Sequence, residues 1–114
     1  MNGSELEQAF DTYWRIYASD MPEPKAEHQF SKWRKWRFDR AWVTEKVAVE
    51  LEGGLYTRGR HQRPKGFSDD CDKYNMASLE GWLVLRYTIV QMDNPEGLIA
   101  QVRRAIESRR VGVA

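Results

Sequence analysis

Between residues 4 and 18 the apolar positions Leu6, Phe10, Tyr13 and Tyr17 recur at the spacing of a helix with one buried stripe. Ser4 and Glu7 stand in the S-x-x-E arrangement, in which each side chain satisfies a backbone donor left open at a helix start. The prolines between Asp20 and Pro24 end that element. From Glu27 to Val43 the pattern changes to aromatic residues interleaved with bases, which suits a strand pair near 27–32 and 36–43. Lys46 to Glu52 is the plainest strand. Val47, Val49 and Leu51 point to one face and Ala48, Glu50 and Glu52 to the other, and Gly53-Gly54 stops it.

Residues 53–67 read as a loop rich in glycine and positive charge. Ser68 is expected to cap a second helix running to about Glu80, with Asp69 and Asp70 near its positive end and Gly81 at its C-terminal cap. The apolar run from Trp82 to Thr88 reads as a central strand covered on both faces. Asn94-Pro95 opens a last helix whose Leu98, Ile99, Val102, Ala105 and Ile106 face inward. The order helix, three strands, helix, strand, helix predicts an α/β sandwich formed as one domain over 1–114.

Composition supports one core and little more: the 114 residues include five Trp, five Tyr and four Phe. The formal net charge is only +1, so a nucleic-acid partner has to be signalled by clustered bases rather than total charge. The single cysteine, Cys71, excludes an intramolecular disulfide and a cysteine zinc cluster. Without the His-and-acid framework of a thiol enzyme it reads as buried packing, and a reducing, cytoplasmic location follows most simply. The N-terminus lacks a basic segment followed by an apolar run, and no stretch approaches the roughly 18 apolar residues of a membrane span. There is no P-loop, dinucleotide fingerprint or zinc signature.

Three constellations carry candidate chemistry. Glu50 and Glu52 project to one face of a strand, with α-carbons roughly 6.5–7 Å apart, and their mutual repulsion would be relieved by a divalent cation between them. Asp39 on the preceding strand can complete an oxygen-rich set suited to Mg²⁺ or Mn²⁺. The same acids also fit a solvated face paired with Lys46 and arginines. The loop Tyr56 to Gly66 holds Arg58, Arg60, Arg63, Lys65 and His61 directly after the carboxylate strand. Acids that hold a metal beside bases that hold phosphates are what a phosphodiesterase needs, although an ordinary solvated basic loop has the same composition. The stretch Lys32-Trp33-Arg34-Lys35-Trp36-Arg37 can follow a nucleic-acid backbone or stack on bases, or bury its rings with the bases pointing outward. A packing role suits Trp36, while Trp33 is open to either. Lys73 can reach a scissile phosphate or stand as a surface lysine.

The runs Trp36-Arg37-Phe38-Asp39-Arg40-Ala41-Trp42, Lys46 to Gly54, Gly59-Arg60-His61, Asp70-Cys71-Asp72-Lys73-Tyr74-Asn75 and Gly81 to Arg86 together resemble small phage and bacterial endonucleases of the PD-(D/E)xK superfamily, near the very-short-patch-repair-like branch. The resemblance spans roughly residues 4 to 106. It implies a restriction-endonuclease-like core, with a mixed four-stranded sheet flanked by helices in the order α-β-β-β-α-β-α. It also implies Asp39 and Glu50 as metal-binding acids, with the main-chain carbonyl of Leu51 as a further ligand. Phe38 stands where the motif has proline, and Glu52 where it has lysine. Lys73 would supply the missing cation, Glu7 would be the acid of the first helix and His61 an active-site histidine. The bases Lys32, Arg34, Lys35, Arg58, Arg60, Arg63 and Lys65 would contact DNA. The implied protein is a Mg²⁺- or Mn²⁺-dependent endonuclease on duplex or branched DNA. It would nick strands or resolve Holliday junctions, as a possible homodimer, in a bacterial or phage-infected cell. A DNA-binding module that has lost turnover is the alternative, and a small structural or inhibitory protein a third.

Overall fold

The computed structural model describes residues 1–53 and 64–111. The chain runs α1 (Gly3–Tyr17), β1 (Lys25–Gln29), β2 (Arg37–Trp42), β3 (Val47–Leu51), α2 (Pro64–Leu79), β4 (Leu83–Tyr87), α3 (Ile89–Met92) and α4 (Pro95–Val111). The strands form one sheet in the order β1-β2-β3-β4. The first three make an antiparallel meander, and β4 joins β3 in parallel. A parallel neighbour needs a crossover, which α2 provides. The expected α/β architecture with a mixed four-stranded sheet is therefore present, with the four-residue α3 as an addition.

Two apolar layers sandwich the sheet. On one face Leu6, Phe10 and Trp14 of α1 and Leu98, Ile99, Val102 and Ile106 of α4 meet Val47, Val49 and Leu51 of β3. On the other, Ala77 of α2 packs with Phe38, Ala41, Ala48 and Trp82. β3 is buried along its whole length, so the face that carries Ala48 and Glu50 is covered as well as the face of Val47, Val49 and Leu51. The indoles of Trp14 and Trp42 lie 4.7 Å apart between centroids. Both donate to the carbonyl of Pro22, at 3.2 and 2.9 Å, which fixes the turn leaving α1. A buried indole N–H needs such a partner.

Several local expectations are corrected. The capping box of α1 is formed by Asn2 and Glu5, not Ser4 and Glu7, so Glu7 is released to face the sheet. α2 begins at Pro64 rather than at Ser68, which lies inside the helix. Cys71 is exposed, because the outer face of α2 carries it away from the core. β4 is an edge strand and only half covered: Leu83, Val84 and Leu85 are each partly exposed. Gly81 does take the left-handed conformation, φ 84°, expected of a glycine after a helix.

Gly53 fixes where α1 starts relative to β3. A Cβ on Gly53 would come within 2.4 Å of the backbone nitrogen of Gly3, so only glycine lets the two segments approach this closely. Among the described residues no helix is long and apolar enough to cross a membrane.

Candidate active site

The strands β2 and β3 pair from Arg40↔Val49 to Trp42↔Val47. Continued by one step, that register would set Asp39 opposite Glu50. There the side chains take over from the backbone ladder. The main-chain N–H of Asp39 donates to Glu50 Oε2 at 3.0 Å, and the N–H of Leu51 donates to Asp39 Oδ2 at 2.7 Å. Each carboxylate thus replaces a carbonyl acceptor on the neighbouring strand and keeps a buried amide satisfied.

Strand alternation also breaks at this level. Phe38 and Ala41 pack in the same layer although they stand three positions apart. On β1, Glu27 stands between the pairs Ala26↔Arg40 and His28↔Phe38, facing Asp39, and its φ is 52°. A left-handed conformation at a non-glycine residue costs on the order of 1 kcal/mol and often marks a functional position. Ligand atoms of Glu7, Glu27 and Asp39 all lie within 4.8 Å of one another. Two acids facing each other across a strand pair, with a third above them, repel unless a cation or proton intervenes.

Asp39 registers this crowding. Burial first, then the negative charge of Glu50, raises its carboxyl from 3.8 to about 7, with a further push from Glu7, against the opposing hydrogen bond from Leu51. Arg40 limits the repulsion on one side. It grips both oxygens of Asp11 at 2.8 and 2.9 Å, donates to Glu7 Oε1 at 2.8 Å, and reaches the Asp39 carbonyl at 2.6 Å. These partners, with the charges of Asp11 and Glu7, hold its guanidinium pKa far above the usual value.

Glu50 is only 5% exposed, and its partners besides the Asp39 amide come from α2. Lys73 Nζ contacts Glu50 Oε1, and the Tyr74 hydroxyl donates to the same oxygen at 3.1 Å. Burial, with the charges of Glu50 and Glu52, pushes the Tyr74 phenol well above its ordinary range, so it stays a neutral donor. Lys73, expected to supply the cation that the motif lacks, is thus seated on Glu50.

The remaining predicted residues are distributed as follows. Glu52 does not join Asp39 and Glu50: it turns to Arg86 on β4, which donates to Glu52 Oε1 at 2.7 Å. The expected convergence of Asp39, Glu50 and Glu52 is corrected on that point. Lys46 binds the Glu80 carbonyl at 2.7 Å rather than an acid of β3. The Leu51 carbonyl accepts the Gly53 N–H at 3.1 Å. Lys65 pairs with Asp69 one turn along α2, at 3.2 Å. Lys32, Arg34 and Lys35 are exposed. Arg58, Arg60, His61 and Arg63 lie outside the described residues.

Sequence reasoning missed Glu27, Arg40, Asp11 and Arg86 as members of this network. Only Arg86 carried a signal, as the one charge in the apolar run from Trp82 to Thr88. The carboxylate set consists of hard oxygen donors and fits a cation such as Mg²⁺ or Mn²⁺ by that chemistry. No protein-family model, curated protein or solved structure is significantly similar to this chain.

Proposed function

We propose that this chain is a Mg²⁺- or Mn²⁺-dependent endodeoxyribonuclease with a restriction-endonuclease-like core of the PD-(D/E)xK type, acting on DNA in the cytoplasm. The observation that carries the reading is the Asp39–Glu50–Lys73 arrangement. An acid from each of two adjacent strands lies where their ladder gives way to side-chain contacts, and a lysine from the next helix is seated on the second acid. The element order and the mixed sheet agree with the core that the sequence resemblance implies.

Glu7, Glu27 and Asp39 would hold the metal ion. A bound Mg²⁺ or Mn²⁺ supplies Lewis acidity toward a phosphate oxygen and makes a coordinated water more acidic. The chain's own groups do the rest. Glu50 orients Lys73, and Lys73 offsets the negative charge that grows on a phosphate under attack. Tyr74 and the Asp39 amide keep Glu50 in one rotamer, and Arg40 keeps Glu7 facing the sheet. Glu52 serves as a structural partner of Arg86.

The alternative of a DNA-binding module without turnover draws on Glu52, which stands where the motif has lysine. Entry of Lys73 from α2 onto Glu50 supports the enzyme reading over it. The test is incubation of linear, nicked and four-way-junction DNA with Mn²⁺, comparing wild type with Asp39→Ala. The expected result is cleavage that needs the ion and vanishes in the variant. Binding without cleavage under any divalent ion would overturn the enzyme reading.

A further inference from the structure

The loop at 30–36 joins β1 to β2 at the end of the sheet that carries the acids. Arg37, paired with Gln29 where the β1–β2 ladder begins, is two residues from Asp39, roughly 6.5–7 Å along the strand. The loop is internally braced. Ser31 is 3% exposed, and its Oγ accepts the backbone N–H groups of Trp33 at 3.1 Å and Arg34 at 3.3 Å. Gln29 Nε2 donates to the carbonyls of Ser31 at 3.1 Å and Arg34 at 3.4 Å. Phe30 stacks on Phe38 with ring centroids 4.2 Å apart, and the Arg34 guanidinium lies 4.4 Å over the Trp36 ring.

Trp33 is treated differently. Its side chain is presented from this braced backbone yet the residue is 84% exposed, and its ring meets no other ring among the described residues. The segment from Lys32 to Arg37 holds four basic residues and no acid. A chain with a formal net charge of only +1 thus concentrates positive charge around one bare indole.

We propose that Trp33 is a stacking platform for an unpaired base, with Lys32, Arg34 and Lys35 neutralising the phosphates on either side. The substrate class is then DNA that displays base faces (single-stranded, gapped or branched) rather than intact duplex. This rests on the nuclease reading for the choice of DNA as partner. An intact duplex buries its base faces in the stack, so an exposed ring gains little from it, whereas every unpaired base offers a π-face. A bilayer partner is less well matched, because a membrane-docking loop needs several apolar side chains turned outward. Here Phe30 and Trp36 are turned to each other, and Phe30 packs on the layer under α2.

The experiment measures affinity of the full chain in EDTA for labelled single-stranded, gapped, four-way-junction and intact duplex DNA, and for phosphatidylserine vesicles. Wild type, Trp33→Ala, Trp33→Phe and Lys32→Ala/Lys35→Ala are compared. Trp33→Ala is expected to weaken binding of the first three DNAs by about tenfold, in line with base–aromatic stacking, and to leave duplex binding and its salt dependence unchanged. Trp33→Phe should restore most of the loss, and the lysine variant should weaken all DNAs together. Equal loss on duplex, no loss on any DNA, or tighter Trp33-dependent binding to vesicles than to DNA would overturn the proposal. Mn²⁺-dependent cleavage is scored separately with Asp39→Ala. Stacking without cleavage defeats the nuclease reading alone, and cleavage without a role for Trp33 defeats the stacking proposal alone.

Discussion

Asp39 and Glu50 are each bound to the other's strand rather than to the other's carboxylate: Glu50 takes the amide of Asp39, and Asp39 takes the amide of the residue after Glu50. This clasp holds two acids in place at a point where the sheet would otherwise leave amides unpaired. It makes their positions a property of the backbone. Removing either side chain therefore strips a backbone partner as well as a charge, and conservative amide variants are the cleaner probes.

Asp39 sets a pH dependence of stability. Its folded pKa of about 7 lies above the ordinary 3.8, so the folded state holds the proton more tightly than the unfolded chain. Stability from this group is full below about pH 4 and is lost as pH rises through about 7. Discounted for partial solvent screening, the loss is on the order of 2 kcal/mol. Denaturant titrations from pH 4 to about pH 8 should show that slope in metal-free wild type, and Asp39→Asn should flatten it. Mn²⁺ should restore wild-type stability at the high end and do nothing for the variant.

Lys73 and Glu50 form a pair with side chains only 15% and 7% exposed. Breaking such a pair leaves a buried charge and costs about 3–5 kcal/mol. Lys73→Met should lower the melting temperature sharply. The double variant Lys73→Met/Glu50→Gln should recover much of that loss, a coupling readable from a thermal double-mutant cycle.

Glu52 separates the expected triad from the observed one. Because Arg86 holds it away from Asp39 and Glu50, Glu52→Gln should keep Mn²⁺-dependent cleavage within about tenfold of wild type, while Asp39→Ala loses it. Loss of cleavage in Glu52→Gln equal to that in Asp39→Ala would restore Glu52 to the catalytic set.

The core layers were legible in the sequence wherever apolar residues recur at the period of their element. The period-two pattern of Val47, Val49 and Leu51 and the helical spacing of Leu98, Ile99, Val102 and Ile106 both point to the layer they occupy. Asp39 and Glu50 were legible as neighbours because they stand on consecutive strands, whereas the register that sets them opposite each other is read from the structure. Glu52 was misplaced because the i, i+2 rule assumes that the strand continues. β3 ends at Leu51, and Arg86 on the parallel neighbour captures the next acid. Glu27 could not be found from spacing: its place beside Asp39 depends on a left-handed residue that no sequence period announces. Cys71 and the start of α2 were misread because that helix has a weak apolar stripe, with Phe67 and Leu79 themselves exposed.

Gly53→Ala tests how α1 is held against β3. The added Cβ would lie 2.4 Å from the Gly3 nitrogen, a backbone atom that cannot swing aside. The variant should lose about 1–3 kcal/mol in chemical denaturation. Glu7 lies on the displaced helix, so Mn²⁺ affinity measured by titration should weaken with it.

The left-handed backbone of Glu27 gives position 27 two incompatible preferences. Its dihedral geometry favours glycine or asparagine, while its place opposite Asp39 gives a purpose only to an acid. Local comfort and cation affinity can be set against each other there by exchanging one side chain. A sturdier protein that grips manganese less well is what relaxing that residue would produce.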